Sequence, residues 1–301
     1  MKNMNKRKKL YLSIIVMIML LLVSCGSRKT PIDEVNNTVD NKSLIDVFFH
    51  QQSDSEKQYL NNMLKKYESK INVSEFEFTL EEAITESNTG YCFYKVNIKS
   101  NTIPVGKMTI FNDLYQLTDG TYWIQVATGA SPDVCPDYCA SDVSQRINVI
   151  SDNEVEAFLC CKNQFESNDI DIQVLKEDEN GKQNDKGKLK LEETRNSVRF
   201  DVSEDLYCWV GSFGMMKIYP YKGVSEQRPF GQAKEVSLLM KDESKIVVYS
   251  IDENINTGYG MQTDGITAKS AYDFEQIVDV SNIKSLQIDD NIYEISDVNL
   301  D

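Results

Sequence analysis

Histidine is almost missing from this chain: His50 is the only one in 301 residues. A Ser-His-Asp or Cys-His constellation would have to be built on it, and no serine-centred G-x-S-x-G turn accompanies it. Zinc lacks its usual ligand spacing, because Cys135-x3-Cys139 and Cys160-Cys161 offer no C-x2-C pair and no nearby histidine. Phosphate-cradling loops, dinucleotide fingerprints and metallohydrolase motifs are also missing. Positive charge is scarce, with 32 Lys and Arg against 47 Asp and Glu. Phosphate backbones demand clustered cations, so nucleic acid is excluded as a partner. Paired carboxylates could in principle hydrolyse glycosides, but among 47 acids some pair always has plausible spacing. The expectation is a protein with no enzymatic activity, no cofactor and no metal.

What is present begins with an address. Lys2 and Lys6-Arg7-Lys8-Lys9 open the chain, and an apolar-to-small run extends from Leu10 to Val23. A short apolar run behind a positive segment has the layout of a secretory signal, whereas a membrane span needs roughly 20 apolar residues. The run stops at Leu22-Val23-Ser24-Cys25, which resembles the lipobox of bacterial lipoproteins. That resemblance implies cleavage before Cys25, a diacylglyceryl group on its thiol and acylation of the new N-terminus. Two or more acyl chains anchor stably. The expected place is the cell membrane, lipid-anchored, on its extracytoplasmic face. Losing residues 1–24 removes five positive charges and no negative ones, so the formal charge of −15 becomes −20. Such a body does not adhere to anionic lipid unaided, and the lipid on Cys25 must hold it.

Residues 25–42 are polar and aperiodic, a flexible tether reaching roughly 20 to 25 Å. A helical segment is expected over 43–70. Ser53-Asp54-Ser55-Glu56 has capping-box spacing, and Tyr59, Leu60, Met63, Leu64 and Tyr67 form an amphipathic stripe that docks on the β domain C-terminal to it. From Ile71 onward short alternating runs are broken by turns. Cys92, Tyr94, Val96 and Ile98 share one face of a strand, with Lys95, Asn97 and Lys99 opposite. Asp119-Gly120 between two apolar runs predicts a hairpin. Val155, Ala157, Leu159 and Cys161 share a face of another strand, while Lys176 to Lys188 looks too charged and Gly-rich for a core strand. Many short strands without intervening helices predict a mainly β protein of sandwich type. The strand count exceeds one small sandwich, so a boundary is placed at Ser203-Glu204-Asp205, giving domains over 71–203 and 204–301.

Besides Cys25 there are six cysteines, an even number that suggests disulfides in an exported chain. Free thiols and a metal site are the alternatives. Cys92 and Cys161 sit with the apolar residues of their strands, so Cys92–Cys161 is the favoured long-range pair over Cys92–Cys160. Cys135 and Cys139 flank a turn-compatible Pro136 and are expected to close a small surface loop.

Phe78-Thr79-Leu80-Glu81-Glu82-Ala83-Ile84-Thr85 with Asn88-Thr89-Gly90, and the tail Ile277 to Ile288 with Ile292 to Ile295, are similar to the opening and closing segments of an uncharacterised ectodomain family. That family forms the extracytoplasmic part of Gram-positive anti-sigma-factor-like membrane proteins and of some lipoproteins. The resemblance implies two immunoglobulin-like β-sandwich domains and no known activity, and it carries over no functional residue.

By alternation, Tyr91, Phe93 and Trp123 face away from their cores. Outward aromatics can stack on sugars or pack on a partner, or another part of the chain can cover them. The expected function is therefore a lipid-anchored interaction or sensing protein of the envelope, its partner an envelope protein. A carbohydrate- or peptidoglycan-binding lipoprotein using those aromatics, or an accessory lipoprotein of a transporter, is the alternative. Coverage of Tyr91, Phe93 and Trp123 by the chain itself favours the first.

Overall fold

A computed structural model describes residues 42–86, 88–111, 114–117, 120–127, 145–161, 169–178, 181–192, 196–204, 206–219, 230, 233–253, 255, 260–263, 268–274 and 276–296. Cys25, most of the tether, and the Cys135–Cys139 loop lie outside the described residues. What is described is mainly β: four antiparallel sheets, preceded by two short helices.

Helices α1 (Leu44–Phe48) and α2 (Asp54–Met63) both begin at a serine. Ser43 and Ser53 each accept from the third backbone N–H of their helix, and Asp46 and Glu56 reach back to the cap backbone. This reciprocal pairing satisfies amides that the first turn would otherwise leave orphaned. The helix expected over 43–70 is thus two helices, and it stops early. Leu64 is already extended, and Tyr67 lies on a strand rather than on the stripe with Leu60 and Met63.

Ten strands build the first two sheets: β1 (Lys65–Val73), β2 (Phe76–Glu86), β3 (Tyr91–Lys99), β4 (Met108–Phe111), β5 (Leu114–Leu117), β6 (Tyr122–Ala127), β7 (Gln145–Ser151), β8 (Glu154–Cys161), β9 (Asp169–Asp178) and β10 (Gly181–Lys190). Their orders are β1-β2-β3-β8-β7 and β10-β9-β6-β5-β4. One core is filled from both: Phe78, Leu80, Tyr94 and Val96 from one, Tyr115, Ile124, Ile172 and Val174 from the other. The Asp-Gly hairpin forms as expected between β5 and β6, with Gly120 at φ 74°.

The remaining strands are β11 (Ser197–Ser203), β12 (Leu206–Gly211), β13 (Met215–Tyr219), β14 (Glu235–Met240), β15 (Lys245–Ser250), β16 (Gly260–Thr263), β17 (Ala268–Asp273), β18 (Ile283–Ile288) and β19 (Asn291–Glu294). They order as β11-β12-β13-β17-β16 and β15-β14-β18-β19 and share a second core around Cys208, Ile218, Leu238 and Leu286.

Ser203 pairs with Leu206 inside the β11–β12 hairpin, and Phe200 belongs to the second core while Leu191 belongs to the first. The charged stretch expected not to be a core strand is instead an edge: β9 and β10 form a hairpin paired residue for residue from Asp169–Lys190 to Asp178–Gly181. β10 is an edge strand, where alternating lysines can face water and discourage further pairing.

Candidate functional site at the aromatic junction

β3 is buried on both faces from Tyr91 to Ile98. Its even-numbered side chains fill the first core, while Tyr91, Phe93 and Lys95 face the other way. That outward face is where the helices dock. Phe48 and Phe49 bring their ring centroids to 5.5 and 4.9 Å from Phe93. The third wall is the turn Gly211-Ser212-Phe213-Gly214 between β12 and β13. Phe213 reaches 5.0 Å from Phe93, 5.4 Å from Tyr91 and 6.1 Å from Phe49. All five rings are fully buried. Each such pair contributes about 0.5–1.5 kcal/mol beyond its buried area. The result is a socket holding the turn against the first sheet.

Polar bonds fix the turn in that socket. The Ser212 amide donates to Glu86 Oε2 at 2.9 Å, and the Ser212 hydroxyl donates to the Asn196 carbonyl at 3.0 Å. Tyr59 Oη and Ser212 Oγ share a hydrogen bond of 2.7 Å, and the Val278 amide donates to the Ser212 carbonyl at 2.9 Å. Tyr91 donates to Asp273 Oδ2 at 3.4 Å. The second Glu86 oxygen bonds the Thr89 hydroxyl. Close approach requires Gly211, because a Cβ there would run into the Glu86 carboxyl and Thr89 Oγ1. Glu86 has no exposed surface. Burial pushes its carboxyl from 4.5 up to about 8, outweighing the bonds from Thr89, Ser212 and Phe213 and the charge of Lys217.

Further along the same face lies an ionic cluster. Lys95 is 1% exposed, with Nζ at 2.7 Å from Glu156 Oε1 and 3.0 Å from Glu81 Oε2. Nζ also donates to the Lys42 carbonyl at 3.0 Å, and the Leu44 amide donates to Glu82 Oε2 at 2.9 Å. A bulge between Leu80 and Glu82 gives β2 an extra residue here, and Glu81 meets Lys95 while Glu82 meets the start of the described chain. Burial lowers the Lys95 pKa, but the bonds to Glu156 and Glu81 outweigh it and the net shift is upward.

The residues singled out from sequence do not converge. Tyr91 and Phe93 face outward from their sheet as expected, but helices and turn cover them, so they offer no surface to a ligand. Trp123 is half-buried on the outer side of the other sheet, paired with Gln116 and Leu175. No three-residue platform exists. Cys92 and Cys161 do turn into the core and stand directly opposite each other in register, while Cys160 faces the aromatic junction. They lie on adjacent strands of one sheet, not on facing sheets as in the immunoglobulin pattern. Cross-strand neighbours are about 5 Å apart at Cα, within the span of a disulfide, but the expected Cys92–Cys161 bridge is not formed and Cys92 is a thiol. Burial raises the Cys92 thiol pKa well above its usual range.

Glu86, Lys95 and Phe213 escaped the sequence reading. The available signal was Gly211-Ser212-Phe213-Gly214, a bulky apolar residue at the tip of a glycine-flanked turn, where solvent would ordinarily be the neighbour.

No family model and no curated protein matches the chain. Among solved structures it is similar to one described as the crystal structure of the conserved domain protein from Bacillus anthracis, at 8% identity, covering 83% of this chain and 84% of that one, with a TM-score of 0.29. A likeness of that degree carries no argument about fold or activity.

Proposed function

We propose that the protein is a non-enzymatic, lipid-anchored interaction or sensing protein on the extracytoplasmic face of the cell membrane, its strands arranged as two immunoglobulin-like sandwiches. The N-terminal signal layout and Cys25 supply the anchor. The observation that carries the reading is the clamp where the tether ends: Lys95 holds the Lys42 carbonyl and Glu82 holds the Leu44 amide, at 3.0 and 2.9 Å. A tether fastened there transmits its position to a packed body rather than to a loose terminus. The same helices cover Tyr91 and Phe93, which removes two of the three residues on which a glycan-binding reading rested.

Externally added protease tests this placement in intact cells. The ectodomain should be removed while a cytoplasmic marker survives; an ectodomain protected until lysis would contradict the proposal. Co-sedimentation with purified peptidoglycan sacculi should leave the protein in the supernatant. Saturable retention on the sacculi would favour glycan binding instead.

A further inference from the structure

No strand runs through residues 42–63. α1 and α2 close their backbone hydrogen bonds within this segment, as in Val47 to Ser43, Lys57 to Ser53 and Leu64 to Leu60, and the segment's own side chains cap both helices. Side chains fasten it to the rest. Phe48 and Phe49 lie on Phe93, Tyr59 shares a hydrogen bond with Ser212, and Lys95 and Glu82 hold the backbone at Lys42 and Leu44. Beyond Leu64 the attachment changes kind. β1 is paired with β2 from Lys65–Ala83 to Val73–Phe76, and the Tyr67 hydroxyl accepts from the Glu192 amide at 3.2 Å.

We propose that residues 42–63 are a releasable strap: a pull on the tether lifts them as a unit as far as Leu64 and opens an apolar groove on the outer face of the first sheet. Ile84, Phe93, Phe158 and Cys160 floor that groove and are buried in one cluster with the strap. The source of the pull rests on the membrane anchoring proposed above; the strap's separability does not.

Connectivity sets the order of release. A pull at residue 42 loads the Lys95 and Glu82 clamp first, then the Phe48-Phe49 corner, then Tyr59, one attachment after another. Lifting gives up apolar contact but breaks no backbone ladder, and it returns the conformational entropy of a whole segment. Such openings belong to the low end of the local stability range. Stripping β1 would instead unpair a row of backbone groups from β2, so Leu64 is the natural stop. Lifting also takes Phe49 and Tyr59 away from the Ser212-Phe213 turn, which loosens the hold of the first sheet on the second set of strands.

Cys160 makes the opening visible. Its thiol lies under the strap, opposite Phe93 in register, whereas Cys92 and Cys161 turn into the first core on the other face. Iodoacetamide labelling of the full lipidated chain in detergent at pH 8, with fragment ions separating Cys160 from Cys161, should modify Cys160 at least about tenfold faster than Cys92. Phe49→Ala weakens the strap alone, so it should speed Cys160 by about tenfold or more and leave Cys92 unchanged. Equal rates at Cys160 and Cys92 in the native chain would overturn the strap, and so would acceleration of both thiols together in Phe49→Ala. Should Phe49→Ala not fold, the native comparison decides alone. In an optical trap, the full chain held by its two ends should first lengthen by the strap, residues 42–63, before either core yields. A first step that takes β1 or a whole core with it would overturn the order of release. Neither measurement needs the lipid, so a failed anchor would leave both results unchanged and remove only the source of the pull.

Discussion

Lys95 illustrates how far a single residue can depart from its sequence signal. Strict alternation sets it on the side away from the first core, and that is right; a charged residue on that side is ordinarily wet, and that is wrong. Its carboxylate partners come from the β2 bulge at Glu81 and from Glu156 on β8, about which the local pattern around Lys95 says nothing. Removing one member of a buried pair leaves the other charge stranded, typically at about 3–5 kcal/mol. Lys95→Met should therefore lower stability by that order in urea titration, and Lys95→Met/Glu156→Leu should lose less than the single variant. An unchanged midpoint for Lys95→Met would show the cluster to be solvated. Cys92 makes a milder prediction: with no exposed surface and a raised pKa, it should resist iodoacetamide in the folded protein at pH 8 and react only after unfolding. Gly211 is a third case, since its missing Cβ makes room for Glu86. Gly211→Ala should destabilise the junction by steric clash, so peptides over 208–216 should exchange amide hydrogens faster than in the native chain while those over 236–250 stay level.

Elements were legible where periodicity was unbroken and partners were near in sequence. The capping box at Ser53, the alternation of β3 and the Asp-Gly hairpin at β5–β6 all form as read. The start of β1 was not legible, because Tyr67 continues a helical spacing by accident while its hydroxyl accepts from the distant Glu192 amide. The β9–β10 hairpin was missed for the opposite reason: its lysines and acids are cross-strand ion pairs of an edge, such as Lys188 with Asp171 at 3.1 Å, and look like a solvated loop. The junction itself joins Phe49, Phe93 and Phe213, segments that no local pattern connects. Trimming the turn tests that element. Phe213→Ala should cost about 3–5 kcal/mol at the junction while the first core stays intact. Protease cleavage near 192–196 should then accelerate well before the Tyr94 and Tyr115 environments change in near-ultraviolet circular dichroism. Simultaneous loss of both would mean that the junction and the first core unfold together.

For the molecule as a whole, the proposed arrangement is a packed acidic ectodomain held close to a membrane it does not itself bind, a proposal drawn from the N-terminal signal layout, the formal charge and the clamp at Lys42. The mainly β class was readable because strands of this length announce themselves, whereas the address is a proposal that rests on the lipobox-like Leu22 to Cys25. The partner was not, since two of the three outward aromatics that suggested one, Tyr91 and Phe93, are covered by the chain's own helices and turn. Everything proposed about location depends on the thiol of Cys25. Metabolic labelling with an alkyne fatty acid tests it most directly, comparing the native chain with Cys25→Ala in the same cells. The native protein should carry label and fractionate with membranes, and Cys25→Ala should carry none. Undiminished labelling of Cys25→Ala, or an unlabelled native protein, would contradict the account.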